Sequence, residues 1–97
     1  MLMLPIKKKW FDMILSGEKK EEYRDIKPYW TRRFSNIFTI FGISEREVMF
    51  RNGYSANAPM FIAKVSLSIG TGREEWGAEP DKEYYVLRIL EVVIWIS

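Results

Sequence analysis

The 97 residues of this chain predict one small domain, 1–97, and its 15 lysines and arginines against 13 aspartates and glutamates give a formal net charge of +2. The chain has neither cysteine nor histidine, which excludes disulfides, thiol nucleophiles, the usual zinc and iron ligands and any Ser-His-Asp triad. Carboxylates, lysine, tyrosine, serine and threonine remain as groups that could transfer protons.

The first periodic segment predicts a helix over residues 5–16. Proline suits the first turn of a helix, and apolar side chains recur at a spacing of four after Pro5. These side chains are Ile6, Trp10 and Ile14. Gly17 follows the segment and can adopt the left-handed conformation that closes many helices.

A short strand and a brief second helix are expected next. Residues 22–26 predict a strand, which ends before Pro28 because proline restricts the residue that precedes it. Pro28 fits the first turn of a helix that continues through Phe34. In an extended strand Glu22 and Arg24 share one face.

The rest of the chain predicts strands. β-Branched and aromatic residues indicate short strands at 36–41 and 48–51, and alternation of apolar and polar side chains indicates a half-buried strand over 60–69. After a long glycine-rich connection, residues 83–96 predict one long or bent strand, or two. Short strands with helices near the front, and no βαβ alternation, indicate a small mixed sheet or barrel of the α+β class.

Charge is distributed unevenly along the chain. Residues 1–35 hold nine cationic and five acidic side chains, a net charge of +4, whereas residues 73–97 have a net charge of −3. The basic N-terminal third indicates an anionic partner for one face of the protein. A solvated surface is the alternative explanation of the same pattern. The apolar runs are too short for membrane insertion, so we expect a cytoplasmic protein with no membrane partner.

One motif concentrates groups that can do chemistry. Residues 17–24, with the sequence GEKKEEYR, contain the spacing G-x-K-x-x-E-x-R. Arg24 offers a planar fork for phosphate or carboxylate, and Lys19 offers a movable positive charge whose pKa falls if it loses water. Glu22 would hold both in place or accept a proton. The alternative interpretation is a structural ion-pair network at a helix–strand junction.

With this motif the chain resembles the ASCH domain family, a branch of the PUA-like superfamily, whose motif has this spacing after an N-terminal helix. Residues 50–54, 72–77 and 84–87 also resemble the small stand-alone ASCH proteins of bacteria and their phages, so the resemblance covers nearly the whole chain. It implies a PUA-like small β-barrel flanked by helices, with a cleft beside the motif.

Further candidate binding residues lie outside the motif. Arg51 and Tyr54 could line a polar cleft and read base edges. Trp76 could cover the cleft or anchor its loop. Trp30, which stands beside Tyr29 and ahead of two arginines, could stack a base or pack in the core. Lys7–Lys9 could bind phosphate or form a solvated helix face.

The resemblance implies a role in RNA metabolism. The first hypothesis is therefore a module that binds RNA or a nucleotide-like small molecule, without a cofactor or metal, in a cleft lined by the motif and its neighbours. The binding residues expected for this function are Lys19, Glu22, Arg24, Arg51, Tyr54 and Trp76.

The second hypothesis is metal-free hydrolysis, since certain small ASCH proteins deacylate modified cytidine nucleosides with a Lys and a Thr of the motif and a Glu from elsewhere, and other members are ribonucleases. Lys19 matches that Lys, but Glu22 stands where the amidohydrolases carry Thr. Lys19 and Glu22 would then be the catalytic residues, with Glu74 or Glu75 as the second carboxylate. A protein–protein adaptor, the third hypothesis, would expose an apolar patch near residues 94–96.

Overall fold

The computed structural model describes residues 1–38 and 45–96. In chain order they form β1 (Met3–Ile6), α1 (Lys8–Leu15), β2 (Glu21–Asp25), α2 (Pro28–Ser35), β3 (Glu45–Asn52), β4 (Met60–Thr71), a 3₁₀ helix (Glu74–Trp76) and β5 (Glu83–Ile96). The strands form one mixed sheet in the order β1-β3-β4-β5-β2, which curls into a half-barrel. The predicted α+β class is confirmed. Neither described helix is long and apolar enough to cross a membrane.

The core lies on the concave face of the sheet. Alternate residues of the strands are buried there, and both helices contribute side chains to the same cluster. The ring of Phe11 on α1 lies 4.9 Å from that of Phe61 on β4, and the ring of Phe34 on α2 lies 5.2 Å from that of Tyr85 on β5. The sheet and the helices therefore share one apolar core.

The prediction of a helix from residue 5 is wrong at its start. Pro5 lies in β1, a parallel partner of β3, and α1 begins at Lys8. Leu4 and Ile6 are buried in alternation, which is a strand pattern. A proline is tolerated here because β1 is an edge strand and Pro5 directs its backbone away from β3.

Most other boundaries agree with the sequence. The predicted second strand and second helix are confirmed as β2 and α2, and the strand over 60–69 is confirmed and extends to Thr71. Residues 83–96 form a single strand, whose pairing with β4 shifts register at two points. Ile69, an apolar residue of that alternation, was expected on the buried face but is exposed; it lies beyond Ser66, where the pairing of β4 with β3 ends among the described residues.

The strand predicted at 36–41 is not found in its described part, residues 36–38. Residues 36–38 form a turn after α2, in which the backbone N–H of Phe38 donates to the carbonyl of Phe34 at 2.8 Å. Phe38 is buried, so its apolar character serves the core rather than a strand. Residues 39–41 of this prediction lie outside the described residues.

The half-barrel has a seam between its edge strands, β1 and β2. Among the described residues no backbone ladder joins these strands. A side chain crosses the seam instead: Arg24 Nη2 on β2 donates to the carbonyl of Pro5 on β1 at 3.1 Å. The motif therefore lies at the opening of the half-barrel.

Candidate functional site

A tight turn connects α1 to the motif strand. Gly17 has a φ of 84°, a left-handed conformation that glycine adopts at little cost. The N–H of Gly17 donates to the carbonyl of Ile14, and the N–H of Lys19 donates to that of Met13. Reversal of the chain directly after the helix places Lys19 beneath α1 and lets β2 begin at Glu21.

Lys19 is sealed inside the protein, with 1% of its surface exposed. Its Nζ donates to the carbonyl of Trp76 at 2.5 Å and lies 3.2 Å from Glu22 Oε1. The rings of Trp10 and Tyr23 lie 4.8 and 5.0 Å from the same nitrogen. Loss of water on burial lowers the pKa of Lys19, and the Glu22 carboxylate opposes that shift. The ammonium thus fixes the 3₁₀ segment to the motif.

Glu22 links this buried cation to a second one that faces the cleft. Its Oε2 accepts from Arg24 Nη1 at 2.5 Å, while Oε1 faces Lys19. Arg24 also donates to the carbonyl of Tyr23, and its guanidinium lies 5.2 Å from the ring centre of Trp30 on α2. Lys19, Glu22 and Arg24 form one ionic chain with a formal net charge of +1, and both carboxylate oxygens of Glu22 are engaged.

A cleft of about 770 Å³ opens beside the motif. Its walls come from β1 and the start of α1, from β2 and the start of α2, from the β3–β4 turn, and from the 3₁₀ segment. Of the described residues that line it, Glu22 is the one acid. The cationic side chains are Lys7, Arg24 and Arg33, and the aromatic ones are Trp10, Tyr23, Tyr29, Trp30, Tyr54 and Trp76.

A second apolar cluster holds the segment that carries Trp76. It contains Tyr23, Trp76, Ala78, Tyr84 and Val86. The Tyr23 hydroxyl donates to Glu21 at 2.8 Å and accepts from the N–H of Arg73 at 3.0 Å, and burial raises the pKa of that hydroxyl. These contacts, with the bond from Lys19, fix one wall of the cleft from behind.

The structure brings most of the candidate residues together. Lys19, Glu22 and Arg24 form the ionic chain, and Tyr54 and Trp76 line the cleft that this chain borders. Trp76 is buried, whereas Tyr54 projects into solvent from the β3–β4 turn. These five side chains converge although they come from three separate parts of the chain.

Arg51 is separate from this group. It follows buried Phe50 in β3 and so occupies the opposite face of the sheet, outside the described lining of the cleft. Its Nε is buried without a hydrogen-bond partner within residues 1–38 and 45–96. Glu74 and Glu75 are exposed in the 3₁₀ helix, where Glu75 lies 3.7 Å from Arg73, and neither belongs to the described lining.

Several lining residues lie outside the six binding residues that the sequence predicted. The sequence predicts that Trp10 packs in the core, but its side chain is half-buried and lines the cleft beside Gly77. Lys7 directly precedes α1 and lies at the same opening. Tyr29 and Arg33 lie on α2, and the guanidinium of Arg33 is 4.5 Å from the ring centre of Tyr29. The alternation of aromatic and cationic residues in α2 is the signal that pointed towards them.

No family model, curated protein or solved structure matches this chain.

Proposed function

We propose that this chain is a PUA-like domain of the ASCH family that binds single-stranded RNA or a nucleotide-like ligand in the cleft at the G-x-K-x-x-E-x-R motif. The observation that carries the proposal is the composition of the cleft, where Lys7, Arg24 and Arg33 lie among aromatic rings. Cations attract phosphates, and aromatic faces stack bases of any sequence. The sequence resemblance supports the same ligand class.

Arg24 and Trp30 form the centre of the proposed site. The guanidinium of Arg24 is held in place by Glu22 and by the carbonyl of Pro5, so little side-chain freedom remains to be lost when a ligand binds. Trp30 is half-buried beneath it, and Tyr29 meets the Trp30 ring edge-on at 4.9 Å. Such a rigid cationic and aromatic surface suits a phosphate next to a planar base.

Metal-free hydrolysis is the second candidate. It is favoured by the lowered pKa of Lys19 and by the position of Glu22 on the lining of the cleft. Binding is favoured over hydrolysis because Glu22 is paired through both oxygens and Lys19 is buried and bonded to Trp76. A general base needs a free oxygen within reach of the substrate.

RNA binding is tested with a fluorescent single-stranded RNA octamer and two matched pairs of variants. Trp30→Leu removes a ring of the cleft, and Trp95→Leu removes a tryptophan that is 60% exposed at the far end of β5. We expect Trp30→Leu to weaken binding by about 2- to 30-fold, the equivalent of the cation–π contact that supports Arg24, and Trp95→Leu to leave it unchanged.

The charge component is tested in the same assay. Lys7→Ala removes a cation from the cleft, and Lys20→Ala removes an exposed one outside the described lining. Lys7→Ala is expected to lower the slope of log affinity against log salt by about 0.7, the value for one phosphate contact with a single strand. Absence of RNA binding would refute RNA as the ligand, and equal effects within both pairs would refute the cleft as the binding site.

Hydrolysis is tested by incubating the protein with N-acylated nucleosides and with short RNAs. Turnover that exceeds a Lys19→Ala control would support the second candidate, provided that the control is folded by circular dichroism. Equal rates would exclude Lys19 as a catalytic residue.

A further inference from the structure

A second depression adjoins the cleft. It has a volume of about 890 Å³, and its lining includes Met3, Arg33, Asn36, Ile37, Arg46 and Glu47. Met3 and Arg33 also line the cleft, so the two depressions meet at these side chains. Together they form one groove between β1 and α2.

The free edge of β1 follows this groove. The carbonyls of Leu2 and Ile6 accept from the N–H groups of Met49 and Gly53, so the even-numbered residues of β1 direct their backbone towards β3. Met3 and Pro5 direct theirs to the opposite side, where Arg24 reaches the Pro5 carbonyl. The four residues of β1 span roughly 13 Å at about 3.3 Å each. This length matches three or four stacked nucleotides at about 3.4 Å each.

Cations continue from the cleft into the second depression. Arg33 stands at the junction, and Arg46 lies beyond it. Arg46 is held by bonds from Nε to the Ile37 carbonyl at 3.0 Å and from Nη1 to the Glu45 carbonyl at 2.9 Å. Glu47 is the one acid among the described residues that line this depression. A single nucleotide would occupy only one end of such a groove, whereas successive phosphates of a strand could follow the arginines.

We propose that the ligand is a single-stranded RNA segment of several nucleotides, which runs from the cleft past Arg33 into the second depression, with Arg46 as a contact for a further phosphate. This inference rests on the proposed function and specifies its ligand. It assigns a role to Arg46, which lies about 20 residues beyond the motif and outside the cleft.

Affinity is measured for uridine monophosphate and for uridine oligonucleotides of two, four and six residues, by competition against the fluorescent octamer at constant salt. We expect affinity to rise at least tenfold from the monophosphate to the tetranucleotide and to change little beyond it. Arg46→Gln should weaken tetranucleotide binding several-fold and leave monophosphate binding unchanged, while Arg46→Lys, which keeps the charge, should retain most of the affinity. The matched control is Arg88→Gln, which removes an exposed arginine outside the described lining of both depressions.

The outcomes separate the two proposals. If the monophosphate and the tetranucleotide bind equally and Arg46→Gln resembles Arg88→Gln, the extended groove is refuted and the cleft proposal stands. If neither the monophosphate nor any oligonucleotide binds, both proposals fail. If Arg46→Lys loses as much affinity as Arg46→Gln, the bond to Ile37 rather than the charge is responsible, and the proposed phosphate contact of Arg46 is refuted. Thermal melts of both variants check that they are folded.

Discussion

Replacement of Lys19 by methionine tests whether one buried ammonium holds the motif and the 3₁₀ segment together. Methionine keeps the apolar stem but removes the donor to the Trp76 carbonyl and one of the two cations paired with Glu22. Removal of one partner from a buried ion pair costs about 3–5 kcal/mol, and a buried acceptor left unpaired costs about 1–3 kcal/mol. Arg24 still neutralises Glu22 in the variant, so we expect a loss near the lower bound, about 3 kcal/mol.

Such a loss is large for a domain whose total stability is about 5–15 kcal/mol, and it corresponds to a fall in melting temperature of about 12–24 °C. Urea unfolding followed by far-ultraviolet circular dichroism measures it, with Lys20→Met as the exposed control one residue away. The double variant Lys19→Met/Glu22→Gln should regain none of the loss, because it removes the carboxylate with which Arg24 still pairs in the single variant. A loss below about 1 kcal/mol, or one equal to that of the control, would refute a structural role for the Lys19 ammonium.

Three further predictions concern stability. A Cβ at Gly72 would lie 2.5 Å from Cζ of Tyr23, whereas one at Gly70 would meet nothing within 4 Å, so Gly72→Ala should cost about 1–3 kcal/mol in urea unfolding and Gly70→Ala much less. Burial lowers the pKa of Lys19, so between that pKa and about pH 10.4 the unfolded chain binds more protons than the folded chain. The stability of the native chain should therefore rise with pH across this window, and that of Lys19→Met should not. Above about pH 10 the raised pKa of Tyr23 reverses the slope, because the folded state keeps a proton that the unfolded state loses. Urea midpoints between pH 8 and 11 test both signs.

Local patterns in the sequence predicted the motif and four of the five strands, β2 to β5, because each depends on neighbouring residues. Glu22 and Arg24 share a strand face by simple alternation, and the structure places them so. The same alternation, applied from Phe50, would have placed Arg51 on the outer face of β3. Pro5 was assigned to a helix because the last two residues of β1, Pro5 and Ile6, overlap the start of a helical period, and only the parallel pairing with β3 decides between the two.

The cleft itself could not be predicted from local patterns. Its walls meet because the sheet curls and brings edge strands β1 and β2 close, although they lie at opposite ends of the strand order. Trp10 and Trp30 therefore line one cleft from two different helices. The bond from Lys19 to the Trp76 carbonyl spans 57 residues of sequence, and the short motif gives no indication of that partner.

The structural and the functional interpretations of the motif are compatible, because its three charged groups differ in their access to the cleft. Lys19 lies behind the lining, Glu22 connects it to Arg24, and Arg24 faces the opening beside Trp30. By fixing Trp76 through Lys19 and Arg24 through Glu22, the same ionic chain positions two walls of the proposed binding site. Lys19→Met should therefore reduce both stability and RNA affinity. Trp30→Leu should reduce RNA affinity much more than it reduces stability. If RNA affinity and stability fall in the same proportion in both variants, the motif serves the fold alone.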